Sequence, residues 1–232
     1  MKLRKLLSAS VLALGLVTSN LAQAEVFSFD PTGYHAYYTE FDRYAAADWT
    51  VTLVGTTPTN ALTSIDGGAL LMTMAATDDS SSSLQLPTNG FLFDPTKRLF
   101  FKSRFKISDA TQSDFVLGLQ ILDTTPLAVS NGIWFQKDDG DAFLDLHVAK
   151  ASVQTDATAI ATVVADTFMT ISFYYDPGDS SIKYYVNDVL IGEAAITNAP
   201  DAQALTVSIS MQNGEAVAKT MTLDYVFAAK ER

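Results

Sequence analysis

The chain has 232 residues, 48% of them hydrophobic, a formal net charge of −11 and no cysteine. That length suits one large all-β domain with a filled core, and the hydrophobic content excludes a largely disordered chain. The acidic balance repels phosphate backbones and so excludes nucleic acid as a partner, while the missing thiols exclude disulfide staples and thiolate metal sites.

Residues 1–24 carry the pattern of a secretory signal peptide. Lys2, Arg4 and Lys5 open it, residues 6–17 form an apolar middle, and Ala22-Gln23-Ala24 is a small-x-small cleavage motif. The apolar run is too short to leave a stable membrane span in a mature chain. An N-terminal hydrophobic segment that stays attached is the other reading. Residues 25–48 hold Phe27, Phe29, Tyr34, Tyr37, Tyr38, Phe41 and Tyr44 without a clean period. They are expected to form an aromatic N-terminal arm with one short strand, lying on the domain or on a neighbour. The ordinary first strand and loop of a sandwich is the alternative. The domain proper is expected over residues 49–232.

Within it, Trp49, Val51 and Leu53 alternate with threonines and predict a strand. Asp66-Gly67-Gly68 is a turn signal, followed by a strand through Leu70, Met72 and Met74. Residues 78–83 read as a polar loop, 84–86 as a short strand and 87–90 as a break. Residues 99–107 predict a strand with Phe101, Phe105 and Ile107 inward and Lys102, Arg104 and Lys106 on a solvated face. Residues 115–122 are apolar on both faces, which suits a central strand. Residues 133–137 and 143–150 flank Asp138-Asp139-Gly140-Asp141 and predict a hairpin. Residues 151–158 read as a polar connection, with a further strand expected at 160–164.

The last third is the clearest. Met169, Ile171, Phe173 and Tyr175 alternate with Thr170, Ser172 and Tyr174. Asp176-Pro177-Gly178-Asp179 reverses the chain. Ile182, Tyr184 and Val186 resume the alternation, Asn187-Asp188 turns it, and residues 189–196 return. Leu205, Val207, Ile209 and Met211 alternate with Thr206, Ser208 and Ser210. Met221, Leu223, Tyr225 and Phe227 alternate with Thr222, Asp224 and Val226. A period of two puts one set of side chains on one face, so these are half-buried antiparallel strands. Short strands punctuated by turn signals predict an all-β sandwich.

Phe173-Tyr174-Tyr175-Asp176, followed by residues 182–192 (Ile-Lys-Tyr-Tyr-Val-Asn-Asp-Val-Leu-Ile-Gly), resembles the hairpin of concanavalin A-like, laminin-G-like jelly rolls. Asp188 stands where glycine is usual, and Asp tolerates the positive φ of the turn. The chain is also similar to uncharacterised jelly-roll structural proteins of tailed-phage virions. The matching pieces are residues 108–115 (Ser-Asp-Ala-Thr-Gln-Ser-Asp-Phe), 137–141 (Lys-Asp-Asp-Gly-Asp), 212–216 (Gln-Asn-Gly-Glu-Ala) and 223–229 (Leu-Asp-Tyr-Val-Phe-Ala-Ala). The resemblance implies a jelly-roll β-sandwich of two antiparallel sheets, of the concanavalin A-like lectin and glucanase type. It also implies a place in a virion, among other virion or cell-surface proteins and surface glycans, with self-association as a further option. The signal-like segment implies secretion or a periplasmic location instead.

Nucleophilic catalysis needs a base near the nucleophile, and the histidines are His35 and His147. His147 lies two residues from Asp145 on one strand face, a pair that suits a metal or a proton transfer, or simply a surface; zinc usually takes three protein ligands. Glucanases of the resembled fold carry Glu-x-Asp-x-x-Glu on one strand, and residues 143–150 offer only Asp145. A non-enzymatic protein is therefore expected, with a divergent polysaccharide hydrolase or lyase as an alternative. No cofactor is expected beyond calcium: Asp138, Asp139 and Asp141 can supply oxygens to that hard cation, and the resemblance implies a rim calcium in some relatives. A solvated hairpin tip explains the same residues.

A carbohydrate-binding face is the remaining candidate. If Leu144, Leu146 and Val148 face the core, Asp145 and His147 face out, joined by Trp134 and Gln136 from the partner strand. Gln120 and Tyr174 are expected to extend that surface. An aromatic ring beside amides and carboxylates suits a glycan, whose CH groups stack while its hydroxyls are hydrogen-bonded. Packing of Trp134 under a loop or against another subunit is the alternative. Two functions stay open: a virion structural or decoration protein that recognises glycans, and a secreted bacterial lectin-like module.

Overall fold

Where apolar and polar side chains alternate cleanly, the backbone is extended and paired. The computed structural model describes residues 31–232 apart from Thr56 and Ala202, and the cleavage segment expected at residues 1–24 lies outside the described residues. In chain order the strands are β1 (Tyr34–Thr39), β2 (Thr50–Val54), β3 (Thr59–Thr63), β4 (Ala69–Thr73), β5 (Ser81–Gln85) and β6 (Phe91–Leu92). The middle of the chain forms β7 (Leu99–Ile107), β8 (Ser113–Gln120), β9 (Gly132–Lys137), β10 (Phe143–Lys150) and β11 (Val153–Thr162). The last third forms β12 (Met169–Tyr175), β13 (Ser181–Val186), β14 (Val189–Ala195), β15 (Ala204–Asn213) and β16 (Thr220–Glu231). Among the described residues no helix is long and apolar enough to cross a membrane.

The first sheet runs β14-β13-β12-β7-β16-β4-β3, and β1 lies against the second half of β16. The second sheet runs β11-β10-β9-β8-β15-β5-β2, and β6 lies against the start of β15. The named pairs are antiparallel, and the two sheets form a jelly-roll sandwich. Phe101, Phe105, Ile171, Phe173, Ile182 and Leu223 face inward from the first sheet and are fully buried. Phe115, Leu117, Phe135, Leu146, Val207 and Ile209 answer from the second. Ring contacts cross between the layers, Phe105 to Phe115 at 4.8 Å and Phe135 to Phe173 at 6.2 Å. Each such side chain contributes on the order of 2 kcal/mol by leaving water.

The β13–β14 turn adopts positive φ at both central residues, 49° at Asn187 and 63° at Asp188. That is the turn whose twist matches a two-residue hairpin, and both residue types tolerate it. The described part of the aromatic arm is built into the same unit. β1 pairs with β16, and Phe41 and Trp49 are buried in the core, their rings stacked 6.5 Å apart.

Four elements differ from the expectation, each for a physical reason. In β16 a bulge at Asp224 inserts one residue between the partners of Phe105 and Arg104. The extra residue flips the parity, so Val226 and Ala228 are buried while Tyr225 and Phe227 are half-exposed on the outer face. The Ser103 hydroxyl donates to the Tyr225 carbonyl at 3.0 Å beside this bulge. The serines expected in a loop form β5 instead, buried on both faces: Ser82 turns inward and exchanges hydrogen bonds with the Asn60 amide on β3 at 2.9 and 3.0 Å. The polar connection after residue 150 is β11, paired along β10 with an irregularity between Leu144 and Leu146. β3 has no clean alternation and forms by pairing with β4.

The bulge yields a test. Val226→Asp buries a charge without a partner and is expected to cost more than about 3 kcal/mol, whereas Phe227→Asp is expected to cost about 1 kcal/mol or less. Chemical denaturation of both variants measures this, and the opposite ranking would mean that the alternation runs through Asp224 unbroken.

Candidate functional site

The outer face of the second sheet gathers five of the six residues expected to bind carbohydrate. Register sets them in rows. His147 lies opposite Trp134, Trp134 opposite Gly118, Gly118 opposite Ser208, and Ser208 opposite Gln85. One row on, Asp145 faces Gln136, then Val116, Ser210 and Ser83. Gln120 sits at the end of β8 on the same face. Glycine at 118 is a steric requirement: a Cβ there would lie 2.5 Å from the Ile133 carbonyl oxygen and 2.7 Å from the Trp134 Cβ.

These side chains hold one another. The Trp134 indole N–H donates to Gln136 Oε1 at 2.8 Å, and its ring stacks on His147 at 5.1 Å and 24°. His147 Nδ1 pairs with Asp156 Oδ1 on β11 at 2.7 Å. Asp145 accepts the Ala159 N–H at 2.6 Å, and Gln136 Nε2 donates to Asp138 Oδ1 at 2.6 Å.

A loop, residues 121–131, then folds back over the face. Its Leu127 and Val129 pack on Val116, Trp134 and Ala149 in a small apolar cluster outside the main core. Gln85 ties it down, donating to the Ile121 carbonyl at 3.0 Å and accepting the Asp123 N–H at 3.1 Å; the Gln120 amide donates to the Pro126 carbonyl at 3.0 Å. Trp134 is therefore only 2% exposed and seats the loop rather than facing solvent. Beside the loop remains a cavity of about 320 Å³, lined by Thr52, Ser81, Ser83, Thr125, Leu127 and Gln212 among others. Among the described residues four buried side-chain atoms have no hydrogen-bond partner, and Gln120 Oε1, His147 Nε2 and Ser210 Oγ lie on this one face.

Tyr174, the sixth residue, does not join them. It stands on β12, on the outer face of the first sheet, opposite Phe100 and Lys183. Strand parity does not say which sheet a strand joins, and here the two faces point away from each other. The Tyr174 hydroxyl donates to Asp176, and burial pushes it up to about 12. Lys102, Arg104 and Lys106 also lie on that face as expected, Lys102 paired with Asp188 at 2.6 Å and Arg104 and Lys106 over the Phe168 ring.

The three aspartates expected for calcium do not converge. Asp138 accepts the Gln136 amide, Asp141 caps the Phe143 N–H at 2.8 Å, and Asp139 is fixed through its own N–H, donated to the Asp114 carboxylate. Among the described residues no three acidic, histidine or cysteine side chains gather as a metal site. Two features at this end carried no sequence signal. Lys137 is fully buried and donates to the Ser113 and Asp138 carbonyls. Burial pushes the Asp114 carboxyl up to about 6, with Asp139 and Asp138 adding to the rise. A further cavity of about 520 Å³ opens beside β1, walled by Tyr37, Tyr38, Tyr44 and Trp49 with Glu40 and Asp42 at its edge. The aromatic richness of residues 25–48 was its trace in the sequence.

No protein-family model matches the chain, and no curated protein matches it. Solved structures do. An endo-1,3-β-glucanase from Streptomyces sioyaensis matches with a TM-score of 0.59 and 13% identity, over 87% of this chain and 98% of that one. Peanut lectin matches with 0.58 and 10%, over 85% and 97%. A carbohydrate esterase from the Shiga toxin-encoding bacteriophage phi24B matches with 0.53 and 15%, over 85% and 97%. The fold is thus the concanavalin A-like, legume-lectin type of jelly roll. At such identities the likeness is one of fold alone.

Asp114 gives a pH prediction. Its folded pKa lies above the unfolded value of about 3.9, so between about pH 4 and pH 6 the folded state binds more protons and stability falls as pH rises. Asp114→Asn keeps an oxygen for the Asp139 amide. It is expected to be more stable than wild type by about 1 kcal/mol near pH 7, after allowance for solvent screening, and little different near pH 4. Urea melts at both pH values check this; a gap that stays constant with pH would return the carboxyl to its ordinary range.

Proposed function

We propose that this protein is a non-enzymatic jelly roll that recognises glycans through the outer face of its second sheet. The observation that carries the reading is the set of three partnerless buried atoms, Gln120 Oε1, His147 Nε2 and Ser210 Oγ, on one sheet face, where the Ser83 neighbour of Ser210 lines a cavity. A buried polar atom without a partner costs about 1–3 kcal/mol, and sugar hydroxyls are donors and acceptors that would relieve it. The ligand enters beside the 121–131 loop, whose middle rests on Leu127, Val129 and the Gln120 amide while its end is tied to the β10–β11 turn through Ser130 and Asn131. The absence of catalysis is supported by the carboxylates themselves. On this face Asp145 accepts the Ala159 N–H and Asp156 pairs with His147, so both serve the fold's own hydrogen bonding, which supports binding over the paired acid and nucleophile that glycosidic cleavage uses.

Within this reading the protein serves as a structural or decoration component of a phage virion. The four segments that resemble virion jelly rolls support it, and so does edge strand β14, where Val189, Leu190 and Ile191 are 61%, 50% and 43% exposed and suit contact with a neighbouring copy. A secreted lectin-like module is the second reading, favoured by the signal-peptide pattern of residues 1–24.

Ser210→Ala separates binding from folding. It removes an unpaired hydroxyl, so stability is expected to hold or rise, while affinity for glycans bound on an array is expected to fall about tenfold. Unchanged glycan binding would remove the site, and turnover of any polysaccharide in a broad panel would replace binding with catalysis. Mass spectrometry of purified particles is expected to find the chain. Its absence there, with a mature product beginning at Glu25, would choose the secreted module.

A further inference from the structure

The outer face of the first sheet carries an aromatic track of its own. Register aligns Tyr38 on β1, Phe227 on β16, Lys102 on β7, Ser172 on β12 and Tyr185 on β13 in one row across five strands. Phe100 and Tyr174 stand side by side in the next. The rings touch in sequence: Tyr38 to Phe227 at 6.1 Å, Phe227 to Phe100 at 5.6 Å, and Phe100 to Tyr174 at 6.4 Å. Phe227 belongs to this line only because the bulge at Asp224 turned it outward.

A dent interrupts the track. Ser172 is short and lies between the long side chains of Lys102 and Tyr185, so the sheet surface drops there. The depression measures about 270 Å³ and is lined by Phe100, Lys102, Ser172, Tyr174, Tyr185 and Asp188. Its rim is polar. The Lys102 ammonium meets the Asp188 carboxylate at 2.6 Å, and Tyr174 shares Asp176 with Arg98, whose Nε lies 3.0 Å from that carboxylate.

Charge balance and the cost of desolvation choose the occupant. The cations here are largely matched, Lys102 to Asp188, Arg104 to Asp224, Lys183 to Asp179 and Arg98 to Asp176, so little unpaired charge is left to draw a polyanion. A protein partner would have to desolvate those ion pairs at the centre of its interface, where charge is normally depleted. Sugar hydroxyls instead replace the water on the pairs, while pyranose CH faces cover the rings.

We propose that this face is a second carbohydrate site, separate from the cavity on the opposite layer. It takes a neutral glycan, one pyranose seated over Ser172 against Phe100 and Tyr174, with the chain continuing over Phe227 to Tyr38. Tyr38 also walls the 520 Å³ cavity beside β1, so the track leads into further space.

Calorimetric titration of the full chain with laminarihexaose and with cellohexaose tests this. At least one is expected to bind saturably at this face. Phe100→Ala and Tyr174→Ala are each expected to weaken that binding about tenfold, and Tyr174→Phe less than about threefold, because the ring matters more than its hydroxyl. Ser172→Leu fills the dent and is expected to abolish it, with circular dichroism unchanged. Ser210→Ala, in the other site, is expected to leave this binding intact. Loss in Ser210→Ala with none in Phe100→Ala would confine recognition to the other layer and overturn the proposal. So would no binding of either hexasaccharide, a salt-sensitive preference for alginate oligomers, or self-association that Phe100→Ala abolishes.

Discussion

Two pleated sheets must seal one face of each against the other, and this packing sets everything else in the molecule. Phe105 against Phe115 and Phe135 against Phe173 fix the separation and alignment of the layers. Once the inner faces are committed, period-two geometry sends the intervening side chains outward whether or not solvent is the best place for them. The chemistry of this protein therefore lies on its two outer faces, and the sandwich treats them differently.

The outer face of the second sheet is roofed. The serines of β5 and β15 are small and hydroxylated, which lets the 121–131 loop lie close, but the loop satisfies them incompletely. Ser210, Gln120 and His147 keep unpaired atoms under a cover held by Leu127 and Val129. A face that is polar, buried and under-satisfied costs free energy in isolation, and such cost is characteristic of places where a ligand completes the hydrogen bonding. The first sheet's outer face is open. It manages exposure with rings in mutual contact and with charges matched in pairs. The single bulged residue Asp224 shapes this open face, because the same insertion that buries Val226 in the core presents Phe227 to solvent.

The candidate face was partly legible. Trp134, Gln136, Asp145 and His147 could be grouped because hairpin partners and parity are local properties, and Gln120 followed from the neighbouring strand. Tyr174 was misplaced because its strand belongs to the other layer, and no local pattern carries that information. The serine groove was missed because residues 78–83 have the composition of a loop. Burial of Ser81 and Ser83 depends on β2, β15 and the covering loop, all distant in sequence. The aspartates at residues 138–141 looked like ion ligands because turn formers and calcium ligands are the same residue types; only their hydrogen-bond partners distinguish the two.

The amino-acid sequence by itself determined the two-layer architecture, the extent of strands such as β7, β10 and β12, and the left-handed turn at Asn187-Asp188. Alternation, β-propensity and turn chemistry act over a few residues, so they can be read along the chain. The tertiary structure alone decided which layer each outward side chain belongs to, the parity switch at Asp224, and the burial of Trp134. Those depend on pairing between strands far apart in the chain and on a loop crossing a sheet, contacts made only when the layers close.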